Sequence, residues 1–133
     1  MATVQRFEDL IVWTLARQLY QKISALVSEK RRLMDFALIH QIEKSSGSIM
    51  DNIAEGFERG NRKEFIQFLG YAKGSCGELR SQAYRMLDKK TISEEEFQTI
   101  LNLCQRTSNL IFRLMTKLQQ SPIPGSRHKQ KPT

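Results

Sequence analysis

"SGSIMDNIAEGFERGN", residues 46–61, decides the fold. Ile49, Met50, Ile53 and Phe57 recur at three- and four-residue spacing, the signature of one buried face on a helix. Gly60 then suits the left-handed position just past a helix end. Asn61 follows as an N-cap with Glu64 three residues on, so a new helix restarts at once. Two long helices joined by so short a turn must pack antiparallel.

The same periodicity extends in both directions. Upstream, Val12, Leu15, Ala16, Leu19, Tyr20, Ile23, Leu26 and Val27 share one face, predicting a first helix over residues 7–28. "SEKRR", residues 28–32, reads as a polar break before a second helix from Met34 to Arg59, with Ile39 and Ile42 extending its apolar line. Downstream, Phe65, Leu69, Ala72, Cys76, Leu79, Ala83 and Leu87 predict a third helix to Asp88. "KKTIS" forms the next loop, and Ser93 with Glu96 makes a capping box for a fourth helix ending near Leu118. No segment alternates with period two. The expected fold is all-α: an antiparallel up-down-up-down four-helix bundle over residues 1–120. "SPIPGSRHKQKPT" closes the chain as an expected disordered basic tail, residues 121–133.

The chain has 133 residues and a net charge of +7, with three of its cations, Arg127, Lys129 and Lys131, in the tail. A basic body with a basic tail favours a polyanionic partner, most often nucleic acid. Cys76 and Cys104 are distant in sequence, have no CxxC spacing and fall in apolar patterns, so they read as buried free thiols in a reducing compartment. No apolar run reaches the length of a membrane span. The expected location is the cytoplasm.

Polar residues line the helices beside their apolar faces. On a helical wheel Gln41, Ser48, Asn52, Glu55 and Arg59 fall in a sector of about 60°. Glu64, Tyr71, Ser75, Glu78 and Gln82 repeat the pattern on the third helix. Five glycines accompany them, Gly47 and Gly56 on one helix and Gly70, Gly74 and Gly77 on the other. Interior glycine costs about 0.5–1 kcal/mol relative to Ala, so close approach of a neighbouring helix or a ligand is the expected reason. Glu55, Glu64 and Glu78 are carboxylates suited to acid–base work, yet no Glu-x-x-His pair, metal-ligand spacing, phosphate-binding loop or nucleophile motif accompanies them. No catalytic residue, metal or cofactor is expected. The fourth helix has an apolar arc of about 200°, too wide for one buried face, which points to a homo-oligomer.

"FEDLIVW" (7–13), "SIMDNIAEG" (48–56) and "EFIQFLGYAKGSCGEL" (64–79), with Gln41 and the leucine-rich last helix, resemble the 23S rRNA intervening-sequence protein family over residues 7–118. The motif falls on Gln41, Ser48, Asn52, Glu55, Gly56, Glu64, Phe65, Phe68, Gly74, Ser75, Glu78 and Leu79. The resemblance implies a bundle that assembles as a ring-like homopentamer, with no transferable active site. Some members are encoded within insertions in bacterial 23S rRNA genes. Related proteins are accessory determinants of diversity-generating retroelements, which bind nucleic acid and a reverse transcriptase.

The chain departs from the family's pattern at two loops. Glu29-Lys30-Arg31-Arg32 replaces a proline and an acidic residue, and Lys89-Lys90-Thr91 replaces a Gly-Tyr pair. Both loops lie at one end of such a bundle, so Lys30, Arg31, Arg32, Lys89 and Lys90 are expected to form a cationic rim. Arg59, Arg62 and Lys63 gather at the opposite end. Since stacking aromatics are absent from the loops, phosphate and shape recognition of structured RNA is the expected mode. The leading expectation is therefore a non-catalytic scaffold that binds structured RNA and a reverse transcriptase. The alternatives are an intervening-sequence protein on ribosomal RNA and a protein–protein scaffold without nucleic acid.

Overall fold

The computed structural model describes residues 4–120; the expected tail, with Arg127, Lys129 and Lys131, lies outside the described residues. Four α-helices and no strand occur among the described residues. They are α1 (Ile11–Lys30), α2 (Phe36–Glu58), α3 (Arg62–Asp88) and α4 (Glu94–Gln119). Successive helices run antiparallel, and α4 closes back on α1 along the least extensive of the four seams.

The helix ends follow their capping chemistry. Gly60 has φ 71°, as the position after α2 requires, and the Asn61 side chain accepts the Glu64 N–H at 3.1 Å to start α3. Ser93 and Glu96 form a reciprocal capping box at α4. Two boundaries differ from the expected ones. The first helix does not begin at residue 7: Phe7–Asp9 form a 3-10 turn, and extended Leu10 separates it from α1. Burial of Leu10 and the packing of Phe7 on Trp13, with ring centroids 5.2 Å apart, hold this turn back against the helix. The polar run 28–32 is not a break either. Ser, Glu and Lys cost a helix little, so α1 continues to Lys30 before a 3-10 turn over Arg31–Leu33. The stop before α2 comes from Asp35, whose carboxylate accepts the Leu38 N–H at 2.7 Å.

The predicted apolar faces meet in a single core. Leu19, Ile23, Ile42, Ile49, Ile53, Phe57, Leu69, Leu79, Ala83 and Ile111 are fully buried. Tyr20, Met50 and Leu87 sit at the core's edge instead. The α2–α3 seam is the most extensive, and Gly56 sets its closeness. A Cβ built there would lie 2.5 Å from Phe68 Cβ, inside any permissible contact. The other glycines are different: a Cβ on Gly47 or Gly70 would make ordinary contacts, and one on Gly74 or Gly77 would meet nothing within 4 Å.

Candidate functional site

Part of each polar stripe, on α2 and on α3, lines the seam between the two helices. Ser48 and Ser75 share a hydrogen bond at 3.0 Å across it, and Asn52 Nδ2 donates to the Ser48 backbone and hydroxyl oxygens at 2.8 Å each. Deeper in, the Ser45 hydroxyl donates to Gln82 Oε1 at 2.6 Å, both side chains being buried. At one end Arg85 donates to Gln41 at 2.9 Å; at the other Arg59 pairs with Glu64 at 3.2 Å. The seam is thus pinned at four levels along its length, which fixes the register of two helices whose apolar faces alone would tolerate sliding. Glu55 and Glu78 are exposed and make no side-chain hydrogen bond or ion pair among the described residues. Glu55 instead borders a shallow groove of about 630 Å³ with Tyr20, Glu43, Gly47 and Asp51. No group of three or more His, Cys, Asp or Glu suited to a metal ion occurs among the described residues.

The two cationic ends have different environments. The loops after α1 and α3 do meet at one end, where Thr91 donates to the Leu33 carbonyl. There Lys89 pairs with Asp35 at 3.0 Å, and Lys30 pairs with Glu96 at 3.4 Å. Arg31, Arg32 and Lys90 remain exposed. Counting its flanks, this end carries six cations (Lys30, Arg31, Arg32, Arg85, Lys89, Lys90) and six carboxylates (Glu29, Asp35, Asp88, Glu94, Glu95, Glu96). The rim expected from the loops is therefore electrically balanced, because the caps that start α2 and α4 bring acids to the same place. At the other end Arg62 is only 7% exposed and already engaged within the chain, Arg59 is held by Glu64, and Lys63 is exposed.

Charge segregates along the helices instead. From Phe36 to Glu58, α2 carries four carboxylates (Glu43, Asp51, Glu55, Glu58) and one cation, Lys44. Residues 65–84 and 97–120, the bodies of α3 and α4, carry five cations (Lys73, Arg80, Arg106, Arg113, Lys117) and one carboxylate, Glu78. Between these helices runs a polar groove lined by Lys73, Arg80, Gln105, Ser108 and Asn109, with Cys76 and Cys104 at its base. Both cysteines are free and buried. Burial pushes each thiol up to about 12; for Cys76 the neighbouring Cys104 adds to the rise, and Lys73 and Arg80 only partly oppose it. Such thiols stay protonated and unreactive at neutral pH.

Beside this groove the fourth helix keeps its wide apolar arc. Leu101, Leu103, Leu110, Leu114, Met115 and Leu118 are only partly buried, and Phe112 is 57% exposed. A single copy of the bundle does not cover them.

The model of the 23S rRNA-intervening sequence protein family matches residues 8–113. The chain belongs to that family. The match spans all four helices but stops short of the last turns of α4. Among solved structures, the chain is similar in fold to a protein of unknown function from the S23 ribosomal protein family of Bacteroides thetaiotaomicron. It superposes with a TM-score of 0.72 at 20% identity, covering 79% of this chain and 98% of that one. No curated protein matches the chain. Of the polar residues on which the sequence resemblance rests, Gln41, Ser48, Asn52, Glu64 and Ser75 take part in the pinned α2–α3 seam and Glu55 and Glu78 do not, while the α3–α4 groove cations, Lys73 and Arg80, escaped the sequence reading. The signal that could have found them is the complete lack of acid in α4 after Glu96.

Proposed function

We propose that this intervening-sequence protein is a non-catalytic, oligomeric scaffold that binds RNA in the cytoplasm, with structured ribosomal RNA as its leading target. One observation carries the reading: away from the helix ends, residues 65–84 of α3 and 97–120 of α4 carry five cations against one carboxylate, while α2 is acidic. Cations that the helix caps do not compensate attract a polyanion as their partner. The ribosomal version is consistent with the family and with its S23 neighbour. The retroelement version, in which the partner is a reverse transcriptase and its template, has no support from either comparison. The partly buried leucines on the flank of α4 away from α3, Leu103, Leu110 and Leu114, support self-association, for which a homopentamer is the proposed form.

The test is to isolate tagged protein from its native cells under mild salt, sequence the RNA and identify the proteins that accompany it. Enriched ribosomal RNA is the expected result. A noncoding RNA together with a reverse transcriptase would restore the retroelement version. Absence of any enriched RNA would leave only a protein–protein scaffold. Light scattering of the purified chain measures the assembly, and a monomeric mass would refute the oligomer.

A further inference from the structure

We propose that the α3–α4 groove is a binding surface for a single-stranded segment of nucleic acid, with Lys73 and Arg80 on its phosphates and Phe112 and Tyr84 under its bases. This rests on the RNA-binding reading above and gives it a place and a substrate class. Four observations converge on it. Lys73 and Arg80 are partly buried, yet no carboxylate lines their groove. Neither makes an ion pair or a hydrogen bond among the described residues. A half-buried cation without a counter-ion is costly, and an incoming phosphate relieves that cost. Seven residues separate the two, so they lie about 10 Å apart along one face of α3.

The aromatic rings supply the second half. Phe112 is 57% exposed beneath the Lys73 ammonium, which sits 5.9 Å from the ring centroid. Tyr84 is 49% exposed one turn beyond Arg80, resting edgewise on Phe97 at 4.8 Å. Ring, cation, cation, ring follow one another over about 16 Å of α3, room for roughly four nucleotides. Cations that track a backbone, interleaved with exposed rings, form a platform for unpaired bases. A duplex hides its base faces and gains nothing from the rings. Gly77 leaves space in the groove for the strand to approach, and Gln105, Ser108 and Asn109 offer neutral donors from α4.

The experiment uses the full chain and two probes, a fluorescein-labelled oligouridine and a blunt RNA duplex of equal length, followed by anisotropy across a salt series. The unmodified protein should prefer the single strand. Phe112→Leu, which keeps an apolar side chain, should weaken oligouridine binding about 10-fold and leave the duplex nearly unchanged. Lys73→Gln with Arg80→Gln should lower the log–log salt slope by about 1.4. Arg31→Gln with Arg32→Gln, at the balanced end, should change neither. Circular dichroism and melting confirm that each variant is folded. If the unmodified protein binds RNA and the groove variants bind it equally well, the groove proposal falls while the RNA-binding reading stands. If the unmodified protein binds neither probe, both fall. If the groove variants change the assembly's mass by light scattering, the groove is a contact between copies, and the proposal is overturned.

Discussion

Replacing Gly56 by Ala isolates the contact that sets the α2–α3 distance. Helix propensity alone favours Ala by about 0.5–1 kcal/mol. The structure opposes it: the new Cβ would sit 2.5 Å from Phe68 Cβ and 3.2 Å from Phe65 Cδ1. Ordinary carbon contacts begin near 3.5 Å, so the helices must part by about 1 Å. A rotamer change cannot relieve the clash, because Phe68 Cβ is fixed to its backbone. Nor can α2 slide away easily, being joined to α3 through only Arg59, Gly60 and Asn61. Overpacking of this kind costs about 1–3 kcal/mol, and a rigid obstacle places it at the upper end. The net loss should be about 2 kcal/mol after the propensity gain is subtracted. For a chain of this length that lowers Tm by about 6–10 °C. Gly74→Ala is the matched control, since its Cβ meets nothing within 4 Å. It should raise stability by about 0.5–1 kcal/mol. Thermal and urea unfolding of both variants give the answer. A Gly56→Ala protein that melts at or above the parent would refute the argument that close approach, not chance, put glycine there.

Three further outcomes follow from other parts of the bundle. Lys90 holds φ 60° just past α3, a conformation that costs a side chain about 1 kcal/mol, so Lys90→Gly should raise Tm by a few degrees in the same melts. The Leu38 N–H, and then Lys89, hold the Asp35 carboxyl below its ordinary value of 3.8. A carboxyl depressed in the folded state stabilises it above the unfolded value and loses that contribution as pH falls through the folded one; the fall in Tm between mildly and strongly acidic buffer should therefore shrink in Asp35→Ala. Equal falls in the two proteins would refute the cap. Finally, Cys76 and Cys104, pushed up to about 12 by burial, should resist a thiol reagent at neutral pH in the native protein and both react after denaturation. Rapid native labelling would show that the α3–α4 groove opens to its base.

The order of helices was legible because amphipathic periodicity and caps are local. Gly60, Asn61 and the Ser93–Glu96 pair mark their helix ends without knowledge of the rest of the chain. Asp35 carried the same kind of signal, an acceptor just ahead of an apolar run, and its position explains why α2 starts two residues later than Met34. Leu10 carried no local signal. Its extended backbone is held by tertiary burial, which overrides the helical pattern running through it. The glycines show the same divide. Sequence treats all five alike, whereas contact distance assigns a packing role to Gly56 and leaves Gly74 and Gly77 open.

Charge was the least legible property, for a physical reason. Loop cations are easy to place from sequence, since the loop locates them, and that draws attention to Lys30, Arg31, Arg32, Lys89 and Lys90. Yet a helix start needs acceptors and favours acids, so an end holding two helix starts gathers Asp35, Glu94, Glu95 and Glu96 beside those same cations. The field of a bundle end is then a difference of nearly equal numbers. Cations in mid-helix face no such compensation. Whether they converge depends on which helices pair, and only the packing of α3 against α4 sets Lys73 and Arg80 across from a helix that has no acid beyond its first turn. In an antiparallel bundle of capped helices, an uncompensated charge is therefore better sought along the seams than at the loops.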